Sequence, residues 1–516
     1  MTDHTNHISQ ALVLAAGRGR RLNHDQPKPL YPLLGVPLLA RALFTLEASG
    51  ITDAYVVLGH AADEVRAAID AIERLEIRVH WVYNPDWERP NGLSVLAAES
   101  LLDQPFILVM GDHLFEPHAI EVLTRDARSL KGVDLLIDRH GNGDHDLPEA
   151  TKVRLDGDRI VDIGKSLDPF DGLDTGLFLA SPELFSALRE ACADGAETLS
   201  EGVQKLAATG RARAIDGGDL WWHDIDEPED TRVARGKLLA GLRTDKDGPI
   251  ASFLNRPIST RISAQVAKTS ITPNQVSVAT LLVSLLAAVV VAGATYPMLV
   301  LGGVLFHFAS VLDGVDGEVA RLKFQSSRRG EYVDTVCDSL AYVAFLAGLT
   351  VAAYRAPVPD ILFWNGVAAT IACTLGVVNI MFYLSRQGES GSARTVEYGY
   401  HKTEKPSFLS WSLRKLHYLG TREMFSFGAM VAAVSGYMLY GIVIPGVLGT
   451  LVLIPITVKI LMRSRQPRAT MHEVPSARRF EEAASPIRAS VPLVLSGARV
   501  SAAAAEAAGE PTRQEA

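Results

Sequence analysis

Short apolar runs alternate with amphipathic stretches from Gln10 to about Leu239. ALVLAAG, AYVVLGH, FILVMGD and LFLAS read as buried strands, whereas PLLARALFTLEASG and ADEVRAAIDAIER place their apolar residues at helical spacing. That order predicts an α/β, Rossmann-like domain: a mostly parallel sheet covered by helices, with ligands at the carboxyl ends of the strands. From residue 274 the pattern changes. Apolar runs of bilayer length predict six spanning helices near 274–293, 297–322, 331–355, 359–384, 422–442 and 444–463, an all-α transmembrane domain. Between the halves, a KDGP turn precedes FLNRPISTRISAQVAK, whose apolar residues and Arg256, Arg261 and Lys268 predict an amphipathic helix along the membrane surface. The chain thus divides into a soluble domain over 1–240, a juxtamembrane linker over 241–270, a membrane domain over 271–466, and an Ala-, Glu-, Ser- and Arg-rich tail over 467–516 expected to be disordered.

The 516 residues carry 50 Lys and Arg against 59 Asp and Glu, a net charge of −9 that gives no support for nucleic-acid binding. Cys192, Cys337 and Cys373 lie far apart without CxxC spacing, so neither a disulfide framework nor a thiolate metal site is expected. The polar N-terminus is followed by an apolar run, Ala11 to Ala16, too short for a signal-peptide core, so the first domain is expected in the cytoplasm. Lys323, Arg328 and Arg329, then Arg386, Arg394, Lys402, Lys405, Arg414 and Lys415, and finally Arg463, Arg465 and Arg468 fall in loops on one side of the predicted spans, against Arg355 on the other. This asymmetry puts both termini and both candidate sites on the cytoplasmic face of an inner (plasma) membrane protein with several spans.

LAAGRGRRL follows the first predicted strand, and PKPL comes soon after. Gly17 and Gly19 let the backbone approach an anion and aim amides at phosphate oxygens, while Arg21 and Lys28 would neutralise a triphosphate. Asp112 ends a later strand, where a cation could bridge it to phosphates, and WWHDIDEPED offers Asp224 and Asp226 as further ligands. Together these elements resemble the sugar-nucleotide and alcohol-phosphate nucleotidyltransferases over about residues 10 to 240. The resemblance implies that GxGxRL and the following PK bind a nucleoside triphosphate, with Arg21 and Lys28 catalytic, and that Asp112, Asp224 and Asp226 hold Mg2+ or Mn2+. It also implies that Asn91, Gly92 and Ser94 of PNGLS contact the base and that Lys152 and Asp174 face the second substrate. The implied reaction is in-line attack of a phosphate oxygen on the α-phosphate, releasing pyrophosphate.

The most specific string is DGVDGEVARLKFQSSRRGEYVDTVCD, residues 313 to 338. Asp313 and Asp316 are three apart, Asp334 and Asp338 four apart, so each pair shares a helix face. Four carboxylates near a bilayer boundary are costly unless paired or metal-bound, which points to a site for one or two divalent cations. Gly317 and Ala320 leave room for a flat ligand beside the first pair, and Arg321 can reach a phosphate. The pattern DxxDGxxAR followed by GxxxDxxxD resembles the CDP-alcohol phosphotransferases, as does the TPNQ that opens the first span. That resemblance implies Asp313, Asp316 and Asp334 as metal ligands around a CDP-alcohol, Asp338 as ligand or general base, and a homodimer through the membrane domain.

A nucleotidyltransferase followed by a phosphotransferase resembles the bifunctional enzymes that join an inositol-1-phosphate cytidylyltransferase to a di-myo-inositol-phosphate-phosphate synthase, over about residues 10 to 465. The resemblance implies CTP plus inositol 1-phosphate giving CDP-inositol, then transfer to a second inositol 1-phosphate with release of CMP. An anionic acceptor needs cations, for which Arg256, Arg261, Lys268, Arg386 and Arg394 are candidates; the same residues would suit anionic lipid headgroups. A competing reading keeps both chemistries but activates phosphocholine or an aminoalkyl phosphonate and transfers it to diacylglycerol. A transporter is disfavoured, because inverted internal repeats are missing from the sequence.

Overall fold

The computed structural model of the chain describes residues 8–22, 24–125, 131–139, 149–243, 248–387 and 422–442. The first half contains, in order, β1 (Gln10–Leu14), β2 (Pro32–Leu33), β3 (Val36–Pro37), α1 (Leu38–Ala48), β4 (Asp53–Leu58), α2 (Ala62–Asp70), β5 (Arg78–Tyr83), α3 (Asn91–Leu96), β6 (Phe106–Met110), β7 (His113–Phe115) and α4 (Pro117–Thr124). It continues with β8 (Val133–Asp138), β9 (Lys152–Asp156), β10 (Arg159–Gly164), β11 (Gly172–Ala180), α5 (Glu183–Ala193), α6 (Leu199–Ala208), β12 (Ala212–Asp216), β13 (Trp222–Asp224) and α7 (Pro228–Ala240). Nine strands form one sheet in the order β5-β4-β1-β6-β11-β8-β12-β10-β9.

Side chains alternate across that sheet, and both faces are covered. Ala11 and Val13 pack towards Leu39 and Leu43 of α1 and Val65 of α2, while Leu12 faces Leu184 and Leu188 of α5 and Val203 of α6. Burying each of these leucines and valines contributes on the order of 1.5–3 kcal/mol, which is why a strand such as LVL can be apolar at every position.

The expected parallel sheet is realised only from β5 to β6 and again between β8 and β12. LFLAS, in β11, runs antiparallel to both β6 and β8. β9 and β10 form a hairpin closed by a tight turn at Asp156–Arg159, and β9 also pairs antiparallel with the start of β11.

The second half opens with one π-helical turn, Ala251–Asn255, running into α8 (Arg256–Val266). Then come α9 (Pro273–Val291), α10 (Tyr296–Leu322), α11 (Arg328–Arg355), α12 (Asp360–Gln387) and α13 (Arg422–Val434). Thr272 and Gln275 cap α9 reciprocally, which explains why TPNQ begins it, and the Ser327 side chain accepts from Gly330 N to start α11. Four helices are long and apolar enough to cross a membrane among the described residues: 273–291, 296–322, 328–355 and 360–379. The expected span over 422–442 is not one helix: α13 ends at Val434, Gly436 adopts φ +80°, and a short turn of helix follows at Met438–Gly441. The expected sixth span, 444–463, lies outside the described residues, as does the 467–516 tail. Close helix contact is made by small residues. A Cβ on Gly348 of α11 would stand 2.4 Å from the Ala288 carbonyl of α9.

Candidate active sites

The first site gathers at the carboxyl ends of β1 and β6. After β1 the chain turns at Gly19, whose φ of +65° and a would-be Cβ 2.3 Å from Lys28 Cβ admit no side chain. Gly17 has nothing within 4 Å of its own Cβ position. Pro27 then sets the short helical turn Lys28–Leu30 that aims Lys28 inward. Lys28 Nζ donates to Asp112 Oδ2 at 2.5 Å and to Asp226 Oδ1 at 2.6 Å. Burial disfavours the charge on Lys28, but the two carboxylates outweigh it and raise its pKa; Asp112, for all its burial, is held well below the ordinary carboxylate range by Lys28 and by His113. Arg21 is exposed, 3.9 Å from Asp226 and 3.6 Å from Glu149.

Sequence reasoning missed His113. Its Nδ1 meets Asp112 Oδ1 at 2.9 Å, its ring stacks 6.2 Å from Trp222, and β7–β13 pairing sets Asp224 opposite it. Burial opposes the imidazolium, and Asp112 more than compensates, so the His113 pKa stands above its ordinary value. The GDH string was the available signal, since a residue adjoining a buried carboxylate in a tight turn shares its surroundings. Asp174 lies where β11 slips register against β8, with Gly176 N donating to its Oδ1 at 2.8 Å; burial pushes its carboxyl up to about 6.

Asp112 and Asp226, two of the three expected metal ligands, both pair with Lys28, which stands between them, and Asp224 lies opposite His113. The PNGLS residues are placed by protein contacts: Asn91 Oδ1 accepts from Leu199 N at 3.0 Å, Gly92 N donates to Glu197 O at 3.1 Å, and Ser94 Oγ accepts from Asn84 Nδ2 at 3.0 Å. Lys152 donates to the Lys165 carbonyl at 3.1 Å and lies 5.6 Å from the Phe170 ring centroid.

The second site lies between α10 and α11. Carboxylate oxygens of Asp313, Asp334 and Asp338 fall within 4.8 Å of one another, half-buried, an all-oxygen set that suits a hard divalent cation. Asp316, expected as a fourth member, lies beside Asp334 but outside this trio; its Oδ2 accepts from Ser277 Oγ of α9 at 2.5 Å and its Oδ1 from Gly317 N at 2.5 Å. Three residues advance a helix by less than a full turn, so Asp316 is rotated from Asp313 towards α9. Arg321 lies along Gly317, where a Cβ would be 3.7 Å from its Nη1, and Ala320 is half-buried on the same helix.

Arg422, at the start of α13, was also missed. Its Nη1 donates to Asp313 Oδ1 at 2.6 Å and to Asp338 Oδ1, and its buried Nε and Nη2 have no partner among the described residues. Arg256 Nη1 donates to Glu318 at 2.6 Å, and that fully buried carboxylate also accepts from Ser259 at 2.7 Å and Ser263 at 2.6 Å. A buried carboxylate demands such partners. Arg261 and Lys268 are exposed, Arg386 falls in the last turn of α12, and Arg394 lies outside the described residues.

A nucleotide-handling α/β domain joined to helices carrying an acidic trio defines a two-domain transferase. Residues 11–209 match the family described as MobA-like NTP transferase domain, and residues 270–459 that described as CDP-alcohol phosphatidyltransferase. The chain is 39% identical over 349 residues to the bifunctional IPC transferase and DIPP synthase of Rubrobacter xylanophilus, covering 66% of this chain and 77% of that one. It is 32% identical over 380 residues to the protein so named from Thermococcus kodakarensis, covering 73% and 82%. A solved structure of the inositol-1-phosphate CTP transferase from T. maritima is similar at 27% identity and TM-score 0.40, covering 43% of this chain and 91% of that one. The chain belongs to the family of bifunctional IPC transferases and DIPP synthases.

Proposed function

We propose that the soluble half converts CTP and myo-inositol 1-phosphate to CDP-inositol and pyrophosphate, and that the membrane half transfers the inositol-phosphate group to a second inositol 1-phosphate. In the first step a phosphate oxygen of inositol 1-phosphate attacks the α-phosphorus of CTP, the bond to the bridging oxygen breaks, and pyrophosphate leaves. Lys28, poised between two carboxylates, exchanges Asp112 or Asp226 for phosphate oxygens and stabilises the developing charge. Gly17 and Gly19 present backbone to the triphosphate, Asp174 accepts from a polyol hydroxyl, and Lys152 assists from β9, where it pairs with Leu173 beside Asp174.

In the second step a hydroxyl of the acceptor attacks the β-phosphorus of CDP-inositol, and CMP leaves with the bridging oxygen. Asp338 takes the hydroxyl proton. Asp313, Asp334 and Asp338 would hold Mg2+ or Mn2+, which would draw charge from the diphosphate. Arg422 joins the candidate cations for the acceptor, offering Nε and Nη2 to its phosphate. The observation that carries this reading is the acidic trio at one end of two long apolar helices, in a chain whose first half gathers Lys28, Asp112 and Asp226.

Six spans, a Rossmann-like first domain, a homodimer through the helices, contact with anionic lipid and an inner-membrane setting with both sites cytoplasmic complete the proposal; the Lys and Arg asymmetry of the loops supports that orientation. Purified enzyme given CTP, Mg2+ and inositol 1-phosphate should release pyrophosphate and then CMP. Release of pyrophosphate with phosphocholine or an aminoalkyl phosphonate, and none with inositol 1-phosphate, would overturn the substrate assignment.

A further inference from the structure

The two halves meet at a buried cation. Arg41 of α1 is 4% exposed and has no carboxylate partner among the described residues. It donates from Nε and Nη2 to Leu33 O at 3.1 and 2.7 Å, and from Nη2 to Leu322 O at 3.1 Å, a contact across 281 residues. Leu322 is the last residue of α10, the helix that carries Asp313 and Asp316. A helix C-terminus presents unsatisfied carbonyls and partial negative charge, which is what an uncompensated guanidinium needs.

The surrounding contacts make this a fixed joint. Phe324, at φ +55°, stacks on Phe44 of α1 with centroids 4.9 Å apart, and the Arg41 guanidinium lies 5.6 Å from the Phe324 centroid. Lys323 donates to Thr269 O at 2.6 Å and Ile271 O at 2.9 Å, tying the same helix end to the segment before α9. Leu34, Leu242, Ala264, Ala267 and Leu322 form one apolar cluster drawn from both halves. A Cβ on Gly35 would stand 2.1 Å from the Ala267 carbonyl, so the β2–β3 turn is seated directly on the end of α8.

We propose that Arg41 is a positioning residue for the phosphotransferase step: through Leu322 O and Phe324 the soluble domain sets the axial register of α10 and so holds Asp313 opposite Asp334 and Asp338. The inference rests on the reading of the membrane half given above. Asp313 lies nine residues before Leu322, about 14 Å along one continuous helix, so a slip or rotation at the anchored end is carried to the trio. Misplacement of a reacting group by about 1 Å can cost on the order of 100-fold in rate.

The test uses the full chain in lipid nanodiscs, supplied with CDP-inositol and inositol 1-phosphate so that the first step is bypassed. Arg41→Ala is expected to lower kcat for CMP release by about 10- to 100-fold with KM for CDP-inositol within about threefold, while pyrophosphate release from CTP stays at the wild-type rate. Arg41→Lys, which keeps one charge for the helix end, should recover part of the loss. Phe324→Ala removes the same joint from the membrane side and should reproduce the kcat defect. Unchanged CMP release in both alanine variants overturns the inference, and so does an equal loss of both activities with no recovery in Arg41→Lys. Wild-type enzyme releasing no CMP from CDP-inositol would instead remove the reading on which the inference rests.

Discussion

Arg422 Nη1 lies 2.6 Å from Asp313 Oδ1 although 109 residues of chain separate them, and it also serves Asp338. The guanidinium thus occupies the space that the carboxylates frame, with two further donors unused among the described residues. Replacing it with Gln should lower CMP release by about 100-fold and raise KM for inositol 1-phosphate more than KM for CDP-inositol, because a planar fork that grips phosphate is lost. Steady-state kinetics with each substrate varied in turn is the check; equal effects on both KM values would remove the acceptor role.

The two steps should separate by mutation. Asp338→Asn is expected to abolish CMP release and leave pyrophosphate release intact, and Lys28→Met to do the reverse when CDP-inositol is supplied. Each loss should be on the order of 100- to 1000-fold, the usual cost of removing a group that meets developing charge. Loss of both activities in either single variant would contradict two independent centres.

Asp174 makes a pH prediction. Burial raises its carboxyl to about 6, so as pH climbs from the ordinary carboxylate range through 6 the unfolded chain ionises first and the folded protein loses stability, by about 2–3 kcal/mol once ionisation is complete. Below that range both states are protonated and the penalty vanishes. Asp174→Asn should therefore raise Tm relative to wild type at pH 7.5 and match it near pH 4. The wild-type kcat/KM for inositol 1-phosphate should rise through pH 6, and the variant's should stay flat there. A Tm difference that does not change with pH would sink this assignment.

Glycine substitutions should sort by what a Cβ meets. Gly348→Val forces a side chain against the Ala288 carbonyl and should destabilise by at least about 1–3 kcal/mol, the usual range for overpacking. Gly19→Ala adds a left-handed backbone to a clash with Lys28, whereas Gly17→Ala meets nothing and should fold as wild type. Thermal unfolding in detergent distinguishes the three; a normal Tm for Gly348→Val would mean that α9 and α11 pack more loosely than their backbones indicate.

Local chemistry made much of this molecule legible in advance. α9, α10, α11 and α12 begin within three residues of their expected limits, because apolar length and a capping residue such as Thr272 or Ser327 act within one turn of chain. Asp334 and Asp338, four apart, share one face of α11, whereas Asp313 joins them from α10 and Asp316, three residues on, falls outside the trio. The direction of β11 escaped the apolar pattern, which records burial but not strand polarity.

What only the tertiary structure decided is pairing between distant charges. The sequence singles out Arg256 near the bilayer boundary and passes over Arg422; folding pairs the first with Glu318 and sets the second among the aspartates. Lys28 likewise looks like one phosphate ligand among several until two carboxylates from elsewhere in the chain close on it. Short-range forces set by helical and strand periodicity determine elements and motifs from sequence alone. A buried charge takes its partner from whichever element the global packing brings within a few ångströms, and that choice exists only in the folded chain.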